Sequence, residues 1–241
     1  LVYEDFTTYT EVDPNSHIGL VGTDHVDFKA YSNEEALLYL DKDAGFFTDF
    51  EHLIDVKMND HSGDNCPSMV WLLSNDVDSY YGLHLASKHH IGIEAYWYEA
   101  WGAYRFRVWE SYGGTPYVDT SIDMTKGTMY YFDIIKDGTS LTVAIYNDSA
   151  RTSLKDTISL TMHADINFQY IFVCNSWDAA ANKWIDVDIE NLDLQEAVAL
   201  KPSSSSIVPI MEGIGMLQTK RKFILKPFTS RMPKFSPRIV I

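Results

Sequence analysis

Asp186-Val187-Asp188-Ile189-Glu190 alternates carboxylates with branched apolar residues. In an extended strand alternate side chains share a face, so Asp186, Asp188 and Glu190 stand in one row with Val187 and Ile189 opposite. Carboxylates arrayed this way can work as an acid and base around a bond to be cleaved, or give hard oxygen ligands to a cation such as calcium. They can also be the plain solvent face of an amphipathic strand.

A second group is aromatic. Tyr96, Trp97, Tyr98, Trp101, Tyr104, Trp109, Tyr112 and Tyr117 crowd one segment, with Trp177 and Trp184 elsewhere. Sugar rings stack on aromatic faces, and Arg105 or Glu99 could hydrogen-bond their hydroxyls. The segment is therefore a candidate saccharide platform, with Trp97, Trp101 and Trp109 expected as exposed rings around a turn and Arg105 beside them. The competing use of such residues is as core filling. His84, His89 and His90 lie near one another without a Cys or carboxylate at zinc-ligand spacing, and are expected at the surface. Asn59/Asp60/Asp64 and Asn75/Asp76/Asp78 are oxygen-rich clusters that lack EF-hand spacing. Two cysteines cannot make a disulfide framework; Cys174 reads as a buried thiol, and a Cys66–Cys174 bridge stays open as an alternative. No Ser-His-Asp order, nucleophile elbow, P-loop or dinucleotide fingerprint is present. Asn147-Asp148-Ser149 is a glycosylation sequon.

The elements that must position these groups are strands. Short runs rich in Tyr, Phe, Trp, Val, Ile and Thr recur along residues 1–194, separated by Gly, Asn, Asp, Ser and Pro clusters. Strands are expected over 5–11, 18–22, 25–31, 33–40, 50–58, 68–74, 81–87, 91–97, 104–110, 129–136, 140–146, 157–162, 169–174 and 184–194, with loops at 59–65 and 75–78. In 104–110, Tyr104, Phe106 and Val108 face one way and Arg105, Arg107 and Trp109 the other. Asp137-Gly138 between two alternating runs predicts a hairpin.

The string from Lys126 to Val143, followed by Ile171-Phe172-Val173 and Ile189-Glu190-Asn191-Leu192, resembles the concanavalin A-like lectin/glucanase superfamily, including its laminin-G-like members. The likeness spans most of residues 3–194. It implies an all-β jelly roll, a two-sheet antiparallel sandwich whose first and last strands lie close together, so that 184–194 closes beside 5–11. It also implies one structural calcium near those strands, with Asp5, Asp186, Asp188 and Glu190 as candidate ligands. Laminarinase-type members carry Glu-x-Asp-x-x-Glu or Glu-x-Asp-x-Glu in mid-domain. The run at 186–190 begins with Asp and lies on the last strand, which argues against catalysis.

Charge divides the chain. Residues 197–241 carry eight basic residues and one acid, a net of +7, whereas residues 1–196 carry 11 basic and 33 acidic residues, a net of −22. An acidic body disfavours nucleic acid as its partner, and the basic tail would be drawn to acidic surfaces, including another copy of the body. The expected organisation is a jelly-roll domain over 1–196 and an extended, proline-punctuated arm over 197–241. In the arm, Lys222, Phe223, Ile224 and Leu225, and Arg238, Ile239 and Val240, have strand-like composition after a serine linker. No apolar run is long enough to span a membrane, the first residues lack a signal-peptide layout, and the leading Leu suggests a processed or truncated start. Together these point to a non-enzymatic structural protein of a surface assembly, such as a virion coat, decoration or fibre component or an extracellular appendage. Its arm would dock on neighbouring subunits, and its place would be extracellular, on a cell surface or on a virion. The alternative is a lectin-like carbohydrate-binding module, and after it a glycoside hydrolase.

Overall fold

The structure, a computed structural model, describes residues 1–195 apart from 101, 180 and 181. Among the described residues, fourteen strands form two seven-stranded antiparallel sheets packed as a sandwich, the concanavalin A-like jelly-roll fold. In chain order the strands are β1 Thr10–Val12, β2 Ile18–Leu20, β3 His25–Tyr31, β4 Leu37–Asp41, β5 Phe50–His61, β6 Cys66–Ser74 and β7 His90–Tyr98. They continue with β8 Ala103–Tyr112, β9 Thr115–Thr120, β10 Met129–Asp137, β11 Ser140–Tyr146, β12 Leu154–Thr161, β13 Tyr170–Ser176 and β14 Trp184–Asp193. The first sheet runs β1-β4-β13-β6-β7-β8-β9 and the second β12-β11-β10-β5-β14-β3-β2.

The inner faces carry the apolar half of each alternation. In β8, Tyr104, Phe106 and Val108 are buried between the sheets; in β14, Ile185, Val187 and Ile189 are. Phe106 meets Phe132 of the opposite sheet edge to face, with centroids 4.7 Å apart. A second, smaller cluster lies on the outer face of the first sheet, where Leu37, Met69, Leu72, Trp109 and Phe172 pack under Tyr80 and Leu83. Those two residues belong to a helix, α1 Tyr80–Leu85.

That helix corrects the strand expected at 81–87. Tyr81, Leu83 and Leu85 alternate, but Ser79 accepts a hydrogen bond from Gly82 N at 3.1 Å as an N-cap, and Tyr80 and Leu83, three apart, become the buried pair. Residues 5–11 are likewise not one strand. Asp5 caps a 3-10 turn, Phe6–Thr8, and only Thr10–Val12 pairs, with β4 of the first sheet. The last strand therefore does not close beside 5–11: β14 lies between β3 and β5 in the second sheet, and the N-terminal segment touches only its end, Glu4 N donating to Leu192 O at 2.8 Å. β5 continues through Asn59-Asp60-His61, expected as loop, and 115–120 forms a strand the sequence reading did not include. Of residues 33–40, only those from Leu37 onward are strand.

The Asp-Gly hairpin forms with its register moved by one residue. Asp137 pairs with Ser140, so Gly138 and Thr139 are the loop, and Gly138 alone of the two has positive φ, 55°. That places glycine first, as in a type II′ turn. Cys66 and Cys174 are both free and buried, which closes the disulfide alternative. Among the described residues no helix is long and apolar enough to cross a membrane.

Candidate binding site

β7 and β8 form a hairpin in which Glu94 stands directly opposite Arg107, and Tyr96 opposite Arg105. Ile91, Ile93, Ala95, Phe106 and Val108 take the inner face, so Glu94, Tyr96, Arg107 and Trp109 take the outer one. There Asn65, Pro67, Glu94, Tyr96, Arg107, Trp109 and Trp177 line a cavity of about 200 Å³. Trp177 follows β13 and leans on α1, 4.7 Å from the ring of Tyr80 and 4.5 Å from that of Tyr81.

The centre of the cavity is a buried ion pair. Glu94 is 0% exposed; its Oε2 accepts from both Nε and Nη2 of Arg107, and its Oε1 accepts from the Tyr80 hydroxyl at 2.8 Å. The guanidinium carbon lies 3.6 Å from the centroid of the Tyr96 ring, and the Tyr96 hydroxyl donates to Asn65 Oδ1. Burial works to lower the Arg107 pKa, but Glu94, with Tyr80 and Tyr96, more than offsets it and leaves it above the ordinary arginine value. Burial, reinforced by Glu94, pushes the Tyr80 hydroxyl well up. Trp109 Nε1 is buried without a hydrogen-bond partner. A buried indole N–H normally finds an acceptor, and here it belongs to a residue of the cavity wall. Apolar ring faces around fixed polar groups are the makings of a small-molecule site.

The residues singled out from the sequence are distributed differently from expectation. Trp109 is in this wall, though almost buried and not an exposed ring. Trp97 points inward: it packs against the core and stacks on His61, with centroids 4.0 Å apart. Arg105 shares the outer face with Arg107 but pairs with Asp123 at 2.7 Å and does not line the cavity. Trp101 lies outside the described residues. Trp177 was named with the aromatic group but not as a candidate binding ring, and Glu94, Arg107 and Asn65 were not named as candidate binding residues, yet the alternation of β8 and the register of its hairpin with β7 contain the Glu94–Arg107 pairing.

Asp186, Asp188 and Glu190 stand together on the outer face of the second sheet, with Asp27 of β3 beside them. Single ligand atoms of Asp27, Asp186 and Asp188, and of His25, Asp188 and Glu190, come within 4.8 Å of one another. The group is acidic enough that burial and the charges of Asp186 and Asp188 raise the Asp27 pKa. A cation is already present, since Lys57 Nζ makes a short ion pair with Asp188 and its own pKa is raised chiefly by that hydrogen bond. Asp186 also accepts from Asn59 Nδ2 at 3.1 Å. Asp5 belongs to neither group; its side chain is bound to Thr7 at the 3-10 turn. A calcium ion wants six to eight oxygens, and these carboxylates meet that demand only in part while Lys57 holds one of them.

Of the three neighbouring histidines, His84 and His89 are half-buried and only His90 leaves the surface altogether. His90 is fully buried, and His89 and His163 flank buried Glu110, each with a ring nitrogen 2.9 Å from one of its oxygens. The predicted arm residues, Lys222, Phe223, Ile224, Leu225, Arg238, Ile239 and Val240, lie outside the described residues.

No protein-family model and no curated protein matches the chain. Solved structures do. A functionally unknown protein from Saccharomyces cerevisiae matches over 80% of this chain and 100% of its own, with a TM-score of 0.52 at 8% identity. The GH43 protein BlXynB from Bacillus licheniformis matches over 79% of this chain and 39% of its own, with a TM-score of 0.51 at 5% identity. The exoplasmic/lumenal domain of VIP36, in a Ca2+/Man-bound form, gives 0.46 at 12% identity over 78% and 83%. At these identities the likeness is one of fold.

Proposed function

We propose that the protein is a carbohydrate-binding β-sandwich module that takes a saccharide on the outer face of its first sheet, in the cavity walled by Tyr96, Trp109 and Trp177. The observation that supports this best is the Glu94–Arg107 pair fixed between those rings, a polar centre flanked by stacking surfaces. The reading is non-catalytic. Glycoside hydrolysis uses two carboxylates, about 5–5.5 Å apart when configuration is retained and about 6.5–9.5 Å when inverted. Glu94 is the one carboxylate among the described lining residues, and it is committed to Arg107 and Tyr80. A glycan array probed with the wild type and with Trp177→Ala tests the reading. Binding to a defined set of glycans, lost in the variant, is expected; an array left blank by the folded wild type contradicts it.

The charge division supports a second role. A tail of net +7 following a body of net −22, with apolar segments at 222–225 and 238–240, is suited to tying copies of the protein into a surface assembly. Deleting residues 201–241 is expected to lower the oligomeric state seen by light scattering, and an unchanged mass contradicts that role.

A further inference from the structure

We propose that the cavity on the first sheet selects neutral saccharides over anionic ones, and that Glu94 is the residue that sets this preference; the inference rests on the saccharide reading above. Arg107 is the only cationic side chain among the described residues lining the cavity. An unpaired arginine there would be a receptor for a carboxylate or sulfate, since its planar fork matches such anions. Two of its nitrogens, Nε and Nη2, are instead held by Glu94. The pair is therefore electrically closed before any ligand arrives, and Tyr80, which donates to Glu94 from the side of α1, keeps the carboxylate in place.

Left for a ligand are groups of the kind that hydroxyls satisfy. Arg107 Nη1 and Trp109 Nε1 can donate, the latter being buried and without a partner. Glu94 is closed to a ligand: Oε1 accepts from Tyr80 and the residue has no exposed surface. A sugar hydroxyl can accept from Nη1 while its ring lies against Tyr96 or Trp177. A cavity of about 200 Å³ accommodates a single sugar ring. A uronate or sialate in the same place would set a second negative charge beside Glu94, in a segment, residues 1–196, whose net charge is already −22.

The experiment titrates the full chain with a matched pair of oligosaccharides, one neutral and one its uronic-acid counterpart, followed by tryptophan fluorescence at low and high salt. The wild type is expected to favour the neutral sugar by at least about tenfold, as a juxtaposed like charge requires, with an affinity that salt does not change. Glu94→Gln frees the guanidinium and is expected to shift the ratio toward the uronate, with binding that weakens as salt rises. A wild type that prefers the uronate overturns the inference while leaving saccharide binding intact. Absence of binding to either sugar overturns the saccharide reading and this inference with it. Should Glu94→Gln fail to fold, the wild-type ratio still decides.

Discussion

The two sheets of this sandwich use the same device on their outer faces and arrive at different results. On each, strand alternation presents acidic and basic side chains in cross-strand register: Glu94 opposite Arg107 on the first sheet, Asp188 opposite Lys57 on the second. What differs is the cover. The first pair lies beneath α1 and among Tyr80, Tyr96, Trp109 and Trp177, so Glu94 has no exposed surface. The second pair has no aromatic wall: Asp188 is nearly buried and Lys57 keeps 29% of its side chain exposed, next to strands whose Asp27 and Asp186 line an open groove of about 260 Å³. Under the proposed function, the pair with rings around it would serve recognition, and the pair without them would not.

That contrast is broken most directly by removing one acid from each face. Glu94→Ala leaves the Arg107 guanidinium buried without a counter-charge and is expected to destabilise the fold by about 3–5 kcal/mol. Asp186→Asn on the second sheet should stay within about 0.5 kcal/mol of wild type, and chemical denaturation of the two variants compares them.

Acid should act on the buried interior. Burial, with a smaller contribution from Lys42, lowers the His52 pKa to about 3, and burial lowers that of His90 to about 3. Both are depressed from an ordinary 6.5, so the unfolded chain takes up protons first. Stability is present in full above pH 6.5 and falls as the pH drops toward 3, by about 2–3 kcal/mol per histidine at pH 4.5. His52 also accepts from Trp71 Nε1 through Nδ1 at 3.2 Å, a bond that protonation removes. Denaturation midpoints at several pH values check this, and His90→Gln should flatten the decline.

Two smaller effects sharpen the contrast. Trp177→Ala should weaken saccharide binding by about tenfold or more, in keeping with one lost aromatic contact, and leave the pH profile of stability unchanged. Lys57→Gln removes the cation from the Asp27, Asp186 and Asp188 group. It should cost at most about 1 kcal/mol, as expected for a partly exposed pair. Calcium should then raise the Tm of the variant more than that of the wild type, as differential scanning fluorimetry would show.

The jelly roll was legible because its strands alternate cleanly: Tyr104, Phe106 and Val108 inward with Arg105, Arg107 and Trp109 outward is what β8 shows. Where local alternation competed with a cap, it misled. Ser79 caps a helix, Tyr80–Leu85, and that helix packs behind Trp109 and Trp177 of the cavity wall. The identity of the outer-face residues could be read along each strand, but which of them would be walled in could not. Trp97 and Trp109 look equivalent along the chain, and it is the parity of β7 and β8 that sends one to the core and the other to the cavity. Trp177 joins them from a distant loop, through contacts no local pattern encodes. The row at 186–190 drew attention for its carboxylates, and their partners Lys57, His25 and Asn59 come from other strands.

The central claim is that recognition lies on the first sheet. It is tested most directly by titrating a glycan chosen from the array into the wild type, Trp177→Ala and Asp186→Asn, with calorimetry as the readout. The account predicts saturable binding by the wild type, the same affinity for Asp186→Asn, and a loss of about tenfold or more for Trp177→Ala. Binding that survives Trp177→Ala and disappears in Asp186→Asn would contradict it.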